Sequence, residues 1–397
     1  MTEVEVVDAV PTRFTASRWG LLAAFSLVVA TTQVLWLTFA PVTVESARAL
    51  GVSEGLVGDL AVVNPLLFVV LALPAGRFVD RGLHATLTAG ALCTVAGALV
   101  RLVDTSSYGW QLAGQLLASV AQPLVLTATT TLAARCFPPR ERTVAIAVGS
   151  AAQFVGVLVG ALGGAPLVAA GGLPRLLTAH AVLAVVGSVL LLVMLRVAVV
   201  APVAHRDAHG LRWLRHEPLL WRLAGLLLVG VGVFNAVATW LDPVMAGLGH
   251  PGVGGPLIAV TTVAGILGAA VLPGPAAARG HRRTLLAVAT ACTGVVFVLL
   301  VFLNTPVVAG VLLAVLGFVL LAGLPVALEW SEAHVGVARS GTATAFLLLA
   351  GNLGGVLLVL AVQPFVGMPR LALGVVALAA LPGLWLALRL PRREDPA

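Results

Sequence analysis

Twelve long apolar runs, separated by short polar connections, occupy most of this 397-residue sequence. Each run is close to the roughly 20 residues that a helix needs to cross the hydrocarbon of a bilayer. The runs lie at 19–42, 56–78, 85–103, 108–133, 144–169, 176–199, 221–245, 254–278, 285–303, 306–330, 342–365 and 371–390. They lack the alternating pattern that is typical of barrel strands. The sequence therefore predicts an all-α polytopic membrane protein with twelve transmembrane helices.

The composition supports this fold class. Hydrophobic residues make up 60% of the chain and charged residues 10%, with a mean hydropathy of +1.07, whereas soluble domains carry about 25% charged residues. The segment before the first run contains Glu3, Glu5 and Asp8, and acidic residues there are not typical of a signal peptide. We therefore expect the first run to be retained as a transmembrane helix.

The two halves of the sequence resemble each other at an offset of about 200 residues. A glycine, an Arg-Gly pair and a Thr-Leu pair in 76–87 recur in 274–285, which begins 274 − 76 = 198 residues later. Cys93 and Cys292 occupy matching places, 292 − 93 = 199 residues apart. Duplicated halves are a common architecture among helical membrane proteins. The predicted units are a six-helix bundle at 1–199, a linker loop at 200–220 and a second six-helix bundle at 221–397.

All 23 basic residues are arginines, and their distribution predicts the orientation of the chain. Only four of them lie in or beside the connections from odd to even runs, namely Arg48, Arg101, Arg175 and Arg370. Because basic flanks stay in the cytoplasm, both termini and the linker are predicted to be cytoplasmic, in a multi-pass protein of the plasma membrane. Topology then explains the net charge of +7. We expect the lipid bilayer, and no nucleic acid, as a partner.

The linker contains three histidines, His205, His209 and His216, among several arginines. No cysteine joins these histidines at a spacing that is typical of zinc sites. A solvated loop is therefore favoured over a metal site, and we expect no cofactor. Trp213 and Trp221 flank the arginines and predict a short amphipathic helix on the inner membrane surface.

The connection after the second run carries a motif with a clear structural logic. Gly76 allows two helices to approach closely, and Asp80 can accept hydrogen bonds from the N-terminus of a neighbouring helix or pair with an arginine. With its twelve runs, its two copies of six and Gly76-x-x-x-Asp80-Arg81, the sequence resembles the major facilitator superfamily over nearly its whole length. The resemblance implies two pseudo-symmetric six-helix bundles. In the family pattern a further glycine follows the acid by three residues, whereas Gly82 follows it by two.

Several segments are similar to the feline leukaemia virus subgroup C receptor-related transporters, a branch linked to choline and ethanolamine uptake and, historically, haem. The similar segments are 33–39, 121–123, 133–138 and 151–156, together with Glu329 and Asn352. The resemblance implies substrate contacts for Trp36, Gln153 and Asn352, the last of which replaces a glutamine of the family. Trp240 is the nearest candidate for an aromatic residue of the seventh run, although it lies on a different helical face from Asn235.

Polar side chains deep in the runs are candidates for a binding site, because such a group needs a partner or a cavity in a lipid-spanning helix. They are Thr32, Gln33, Asn64, Gln115, Gln122, Gln153, Asn235, Thr239, Thr262 and Asn352. For Gln115, Gln122 and the threonines of 127–131, hydrogen bonds between helices are the favoured interpretation. Gln153 and Asn352 lie in similar sequences 352 − 153 = 199 residues apart. They could hold a hydroxyl, an amine or a carboxylate between the repeats, but close helix packing explains the pattern equally well.

Gln33 and Trp36 are three residues apart and share one helical face. Tryptophan is the strongest cation–π partner for a quaternary ammonium group, so a cavity with an indole and carboxamides suits choline-like cations or small zwitterions. A lipid-facing tryptophan near the outer interface is the alternative. The predicted substrate-binding residues are Gln33, Trp36, Gln153, Asn235, Trp240 and Asn352.

Charged residues near the predicted cytoplasmic side are candidates for a gate. Glu329 and Glu332 end the tenth run and are predicted to pair with Arg339 or Arg142. No carboxylate lies clearly in the middle of a run, where proton relays are expected, so facilitated diffusion is favoured over proton coupling. The predicted gating residues are Gly76, Asp80, Arg81, Arg142, Glu329 and Arg339.

These patterns predict a monomeric transporter that moves a small polar organic solute, for which a choline- or ethanolamine-like amine is the candidate, by rocking of the two halves. The alternative within the superfamily is a proton-coupled exporter of drugs or metabolites. A membrane enzyme is disfavoured, because all eight histidines lie in or near connections and no run holds a nucleophile, base or metal cluster. A receptor or scaffold without transport is the remaining alternative.

Overall fold

The computed structural model describes residues 12–198 and 211–391, with side chains from residue 17 onwards. Within these ranges the chain contains α-helices and 3-10 helices and no β-strand. Ten helical elements are long and apolar enough to cross a membrane, and a bent pair, Tyr108–Leu126 with Thr129–Cys136, provides an eleventh span.

The longest helical element, Pro139–Val197, contains two spans and not one. Its 59 residues are interrupted at Gly171 (φ 176°, ψ 27°) and Gly172 (φ 69°, ψ −171°), where the backbone is not helical. The positive φ of Gly172 favours glycine, since a side chain strains the backbone there. With this division, the described chain contains the twelve predicted spans.

The spans are numbered α1 to α12. They are α1 (Thr12–Trp36), α2 (Glu54–Arg81), α3 (Leu83–Val100), α4 (Tyr108–Leu126 and Thr129–Cys136), α5 (139–170), α6 (173–197), α7 (Pro218–Gly247), α8 (Gly254–Val271 and Pro273–Ala278), α9 (Arg282–Phe302), α10 (Pro306–Leu320 and Gly323–Val335), α11 (Ser340–Val362) and α12 (Pro369–Leu388). Proline begins α5, α7, α10 and α12, because the first turn of a helix needs no backbone N–H donor.

The helices form the same pairs in both groups of six. In the first group α1 packs against α5, and in the second α7 packs against α11. Glycine makes both contacts close: a Cβ at Gly156 would lie 2.2 Å from the Ala30 carbonyl oxygen, and one at Gly354 would lie 1.9 Å from that of Leu228. Small residues of this kind let helix backbones approach in a membrane. The duplicated sequence thus produces a duplicated packing scheme.

The predicted linker at 200–220 lies partly outside the described residues, as do His205 and His209. Its described part begins with a short helix at the predicted place, a 3-10 helix over Leu211–His216. The indole nitrogen of Trp221 donates a hydrogen bond to the carbonyl oxygen of Leu214, 2.9 Å away. The boundaries of the two bundles at 199 and 221 stay predictions.

We call the end of the molecule where α1 begins and α12 ends the arginine-rich end, and the opposite end the arginine-poor end. Because each span reverses the direction of the chain, α2, α4 and α10 end at the arginine-rich end and α5, α9 and α11 begin there. The residues of the predicted gate are therefore gathered at this end.

Candidate functional site

A cavity of about 1150 Å³, including its open mouth, lies between the two groups of six helices. One wall comes from α1, α4 and α5, and the other comes from α7, α9, α10 and α11. All lining side chains in the described chain are uncharged. The cavity lies about midway along α4, α5, α7, α10 and α11 and at the C-terminal end of α1, a depth at which carriers with repeated halves bind their solutes.

The first wall carries the polar groups Gln33, Gln122 and Gln153 beside the indole of Trp36. The side chains of Gln33 and Gln153 are only 4% and 9% exposed. The amide nitrogen of each is buried and has no hydrogen-bond partner within the described chain. Leaving a buried polar group unpaired costs about 1–3 kcal/mol, so rotation of either side chain toward a hydrogen-bond acceptor in the cavity would stabilise the site.

The second wall is mainly aliphatic, with Leu226, Leu286 and Leu324 among its residues. Three of its polar side chains, Thr290, Thr293 and Asn352, are engaged by their own helices. Thr290 donates to the Leu286 carbonyl oxygen over 2.7 Å, and the amide nitrogen of Asn352 donates to the Leu348 carbonyl oxygen over 2.9 Å. The cavity is therefore two-sided, with three glutamines and an indole on one wall and a mainly aliphatic surface that also carries Asn235 and Asn352 on the other.

Trp36 lies on the cavity wall at the C-terminal end of α1. Its indole nitrogen donates a hydrogen bond to the carbonyl oxygen of Ala61 on α2, 3.0 Å away. The hydrogen bond fixes the edge of the ring to α2 while part of the ring surface faces the cavity. The ring is therefore available for a cation, as the cation–π argument requires.

The structure brings five of the six predicted substrate-binding residues to this cavity: Gln33, Trp36, Gln153, Asn235 and Asn352. Trp240 lies elsewhere. It lines a smaller separate space with Phe297 and Val376, and its indole nitrogen donates to the Val359 carbonyl oxygen over 2.9 Å. The position of Trp240 differs from the prediction because it occupies another face of α7.

Two aromatic residues on the cavity were missed by the sequence analysis. Phe154 and Phe234 line it from opposite groups of helices, and their rings meet edge to face with centroids 6.0 Å apart. Each is the direct neighbour of a predicted residue, Gln153 or Asn235. A wide cavity accepts side chains from adjacent positions of one helix, which a search for a single helical face overlooks.

At the arginine-rich end, α2 packs directly on the first turn of α11. The carboxylate of Asp80 accepts hydrogen bonds from the backbone nitrogens of Gly341 at 2.8 Å and Thr342 at 3.0 Å, and also from the Thr342 hydroxyl. A Cβ at Gly76 would lie 2.6 Å from the Cβ of Ala345. Both contacts match the structural logic of the motif, because Gly76 permits close approach and Asp80 caps a helix N-terminus.

Buried hydroxyl groups join the same two groups of helices nearby. Thr130 Oγ1 lies 2.6 Å from Thr344 Oγ1, and Thr131 Oγ1 lies 2.8 Å from Ser340 Oγ. These are the hydrogen bonds between helices that we expected for the threonine run. They add to the closure of the arginine-rich end.

The acidic residues of α10 pair only in part as predicted. Arg142 and Glu332 form the expected ion pair across the two groups, at 3.3 Å. Glu329 instead pairs with Arg282, at 2.7 Å, because Arg282 begins α9 beside the end of α10. Arg339 places its guanidinium 4.9 Å from the ring centroid of Trp213 and so faces the linker.

In the part of the chain that the structure describes, the hydrogen bonds between the two groups lie at the arginine-rich end. Of the predicted gating residues, Gly76, Asp80, Arg142 and Glu329 belong to this contact region. Thr143 of α5 adds a further hydrogen bond, to Glu329 over 3.4 Å. These contacts hold the two groups of helices together on the arginine-rich side of the cavity.

Comparisons with known proteins agree with this architecture. The sequence model described as Major Facilitator Superfamily matches residues 19–359. Solute carrier family 49 member A3 of Danio rerio is 32% identical over 282 residues, which are 66% of this chain and 59% of that relative. Choline/ethanolamine transporter FLVCR1 of Felis catus is 29% identical over 154 residues, which are 38% of this chain and 28% of that protein. The match thus spans less than two thirds of either relative.

Solved structures show the same fold. FucP, a Major Facilitator Superfamily transporter in the outward conformation, gives a TM-score of 0.75 at 13% identity, covering 96% of this chain and 100% of that one. The human organic anion transporter MFSD10 gives a TM-score of 0.75 at 14% identity, covering 93% and 99%. These findings confirm the predicted all-α polytopic fold and the predicted resemblance. The chain belongs to the Major Facilitator Superfamily.

Proposed function

We propose that this protein is a facilitative transporter of a small polar organic solute, with a choline- or ethanolamine-like amine as the candidate, that works as a monomer by alternating access. The observation that carries the proposal is the uncharged, two-sided cavity between the two groups of helices. The sequence similarity to a choline/ethanolamine transporter of Felis catus supports the same solute class.

The two walls suit the two parts of such a solute. The methyl groups of a quaternary ammonium would contact the face of Trp36, an interaction worth about 0.5–2 kcal/mol, and the leucines of the second wall. Its hydroxyl would accept a hydrogen bond from the buried amide of Gln33 or Gln153. A solute with several phosphate charges would find no arginine in the described lining, which disfavours that class.

The contacts at the arginine-rich end supply the gate of the proposed cycle. We assign this end to the cytoplasm of a plasma-membrane protein, following the arginine distribution. Gly76 and Asp80, together with the Arg142–Glu332 pair, hold that side closed, so the described state would receive solute from outside. Rocking of the halves would then separate α2 from α11 and release the solute inward.

The competing assignment, a proton-coupled exporter, requires a titratable group that senses the bound solute. The described lining of the cavity contains no such group. The acids that follow the lining residue Leu324 on α10, Glu329 and Glu332, lie at the arginine-rich end in ion pairs with arginines. The geometry therefore gives the exporter no specific support.

Uptake of labelled choline and ethanolamine by cells producing the protein tests the proposal. We expect saturable uptake by the wild type and at least tenfold lower uptake at low solute concentration with Trp36→Ala or Gln153→Ala. Trp110→Ala is the matched control, because Trp110 is 43% exposed on the outer surface of α4, and it should transport normally. Wild-type cells that take up neither solute but resist toxic organic cations would favour the exporter instead.

A further inference from the structure

The geometry points to Arg101 as a positioning residue that holds the end of α1, and with it Trp36, in place at the cavity. Arg101 directly follows α3 near the arginine-poor end. It is only 1% exposed and is among the largest fully buried side chains of the described chain. In that part of the chain no carboxylate forms an ion pair with it.

The guanidinium of Arg101 binds the carbonyl end of α1. Its two terminal nitrogens donate to the Leu35 carbonyl oxygen over 3.2 and 3.3 Å, and one of them also donates to the Thr38 hydroxyl over 2.9 Å. The other terminal nitrogen donates to the side-chain oxygen of Gln115. In turn, the amide nitrogen of Gln115 donates to the Trp36 carbonyl oxygen over 3.4 Å. Arg101 and Gln115 thus bind two successive carbonyls.

These carbonyls need partners because α1 ends at Trp36. In a continuous helix, the carbonyls of Leu35 and Trp36 would accept hydrogen bonds from the backbone four residues later. Here the Ala40 nitrogen donates to Leu37 instead, over 3.2 Å. The Thr38 hydroxyl donates to the Leu35 carbonyl oxygen over 2.9 Å, and Arg101 and Gln115 add donors to Leu35 and Trp36 from outside α1. The chain break that places Trp36 at the last position of α1 is therefore stabilised from outside the helix.

The site also explains how a buried positive charge is accommodated. The C-terminal end of a helix carries a partial negative charge of about half an elementary charge, and Arg101 lies against that end of α1. The Phe39 ring lies 5.6 Å from the guanidinium carbon. A Cβ at Gly114 would lie 2.5 Å from the Arg101 side chain, so glycine at this position of α4 leaves room for the side chain.

Lysine cannot reproduce this arrangement, because its ammonium is a single point charge, whereas the planar guanidinium contacts three acceptors at once. We therefore expect Arg101→Lys to loosen the end of α1 and to move the Trp36 ring. The matched control is Arg175→Lys, the same substitution at an exposed arginine in the first turn of α6, also at the arginine-poor end. It should behave as the wild type.

The direct readout is the quenching of Trp36 fluorescence by acrylamide. The Trp36 signal is the fluorescence of each protein minus that of the same protein carrying Trp36→Phe. Arg101→Lys should change the quenching constant of this difference signal at least twofold, and Arg175→Lys should not change it. Gln115→Glu gives a second variant, because it keeps an acceptor for the guanidinium but removes the donor to the Trp36 carbonyl. It should change the quenching in the same way. Unchanged quenching in the folded variants would overturn the inference.

A transport readout, which rests on the proposed function, separates positioning from general destabilisation. Arg101→Lys should raise the solute KM about tenfold with little change in kcat, and it should have no further effect in a Trp36→Phe background. Equal effects in both backgrounds would contradict action through Trp36. If the wild type moves no solute, the proposed function fails, whereas the quenching experiment still decides the role of Arg101.

Discussion

Oδ1 of Asp80 lies 2.8 Å from the backbone nitrogen of Gly341, so the last turn of α2 caps the first turn of α11. This hydrogen bond joins residues 261 positions apart, in different groups of six helices. It is charge-assisted, and the partial positive charge of the α11 N-terminus favours the carboxylate. The contact of α2 with α11 at the arginine-rich end therefore depends strongly on one acidic side chain.

Asp80→Asn should loosen this closure. A charge-assisted hydrogen bond contributes about 1.5–3 kcal/mol and a neutral one about 0.5–1.5, so a loss of roughly 1–2 kcal/mol corresponds to a five- to thirtyfold change in the population of the open state. The measurement is the maleimide labelling rate of a cysteine at Thr344, which is fully buried against Thr130, in a background without the three native cysteines.

The control for this substitution is Asp59→Asn, which alters an exposed acid at the other end of the same helix. Labelling should stay at the wild-type rate in this variant. Labelling of Asp80→Asn at the wild-type rate would show that the carboxylate does not hold the gate closed.

Gly76→Ala should also separate α2 from α11, for a steric reason. The added methyl group would lie 2.7 Å from the Gly341 carbonyl oxygen and 2.9 Å from the Thr342 Cα, and backbone atoms cannot move aside as a flexible side chain does. Overpacking of this kind costs roughly 1–3 kcal/mol. We expect a lower unfolding temperature, measured by scanning fluorimetry. Gly58→Ala on the same helix meets no atom within 4 Å, and an equal loss in both variants would rule out this explanation.

Arg142→Gln should weaken the gate because it leaves the Glu332 carboxylate, only 6% exposed, without its arginine. Since the Arg142 side chain is 27% exposed, we expect a loss of roughly 1–3 kcal/mol, below that of a fully buried pair. The double variant with Glu332→Gln should recover part of the loss, measured as unfolding free energy in a double-mutant cycle. Arg140→Gln, at an exposed position two residues earlier, is the control. Strictly additive losses would show that the two side chains are not coupled.

The parts of the molecule that the sequence predicted well are those that depend on local pattern. The lengths of the apolar runs predicted the twelve spans. Gly76 and Asp80, around the end of the second run, predicted that the end of α2 packs closely on the N-terminus of a neighbouring helix, which is α11. The repeat placed Gln153 and Asn352 at one cavity. Each of these predictions rests on the length of an apolar run, on a short sequence motif or on the internal duplication of the chain.

The parts that were missed depend on which helix face meets which neighbour. Arg101 lies near the end of the third run, beside a connection, and nothing in its own segment shows that α1 breaks beside it. Trp240 is the nearest match to the aromatic residue that the family resemblance implies, but its face of α7, different from that of Asn235, lies away from the cavity. Glu329 pairs with Arg282 because two helix ends meet, which no spacing in the sequence indicates.

Phe234 and Trp240 provide a test of the corrected cavity lining. Phe234→Leu should lower solute affinity several-fold, because it removes the ring that meets Phe154 on the cavity. Trp240→Phe should leave affinity unchanged, because Trp240 lies outside this cavity. Competition binding on purified protein measures both. Lower affinity in Trp240→Phe together with unchanged affinity in Phe234→Leu would show that Trp240, and not Phe234, belongs to the binding site.

The most direct measurement is the flux of labelled choline and ethanolamine into proteoliposomes that contain only this protein. The account predicts saturable uptake of one or both solutes that ends at equal concentrations on the two sides, is independent of an imposed proton gradient, and falls at least tenfold in Gln153→Leu. Flux no greater than in empty vesicles, or accumulation only when a proton gradient is applied, would contradict it.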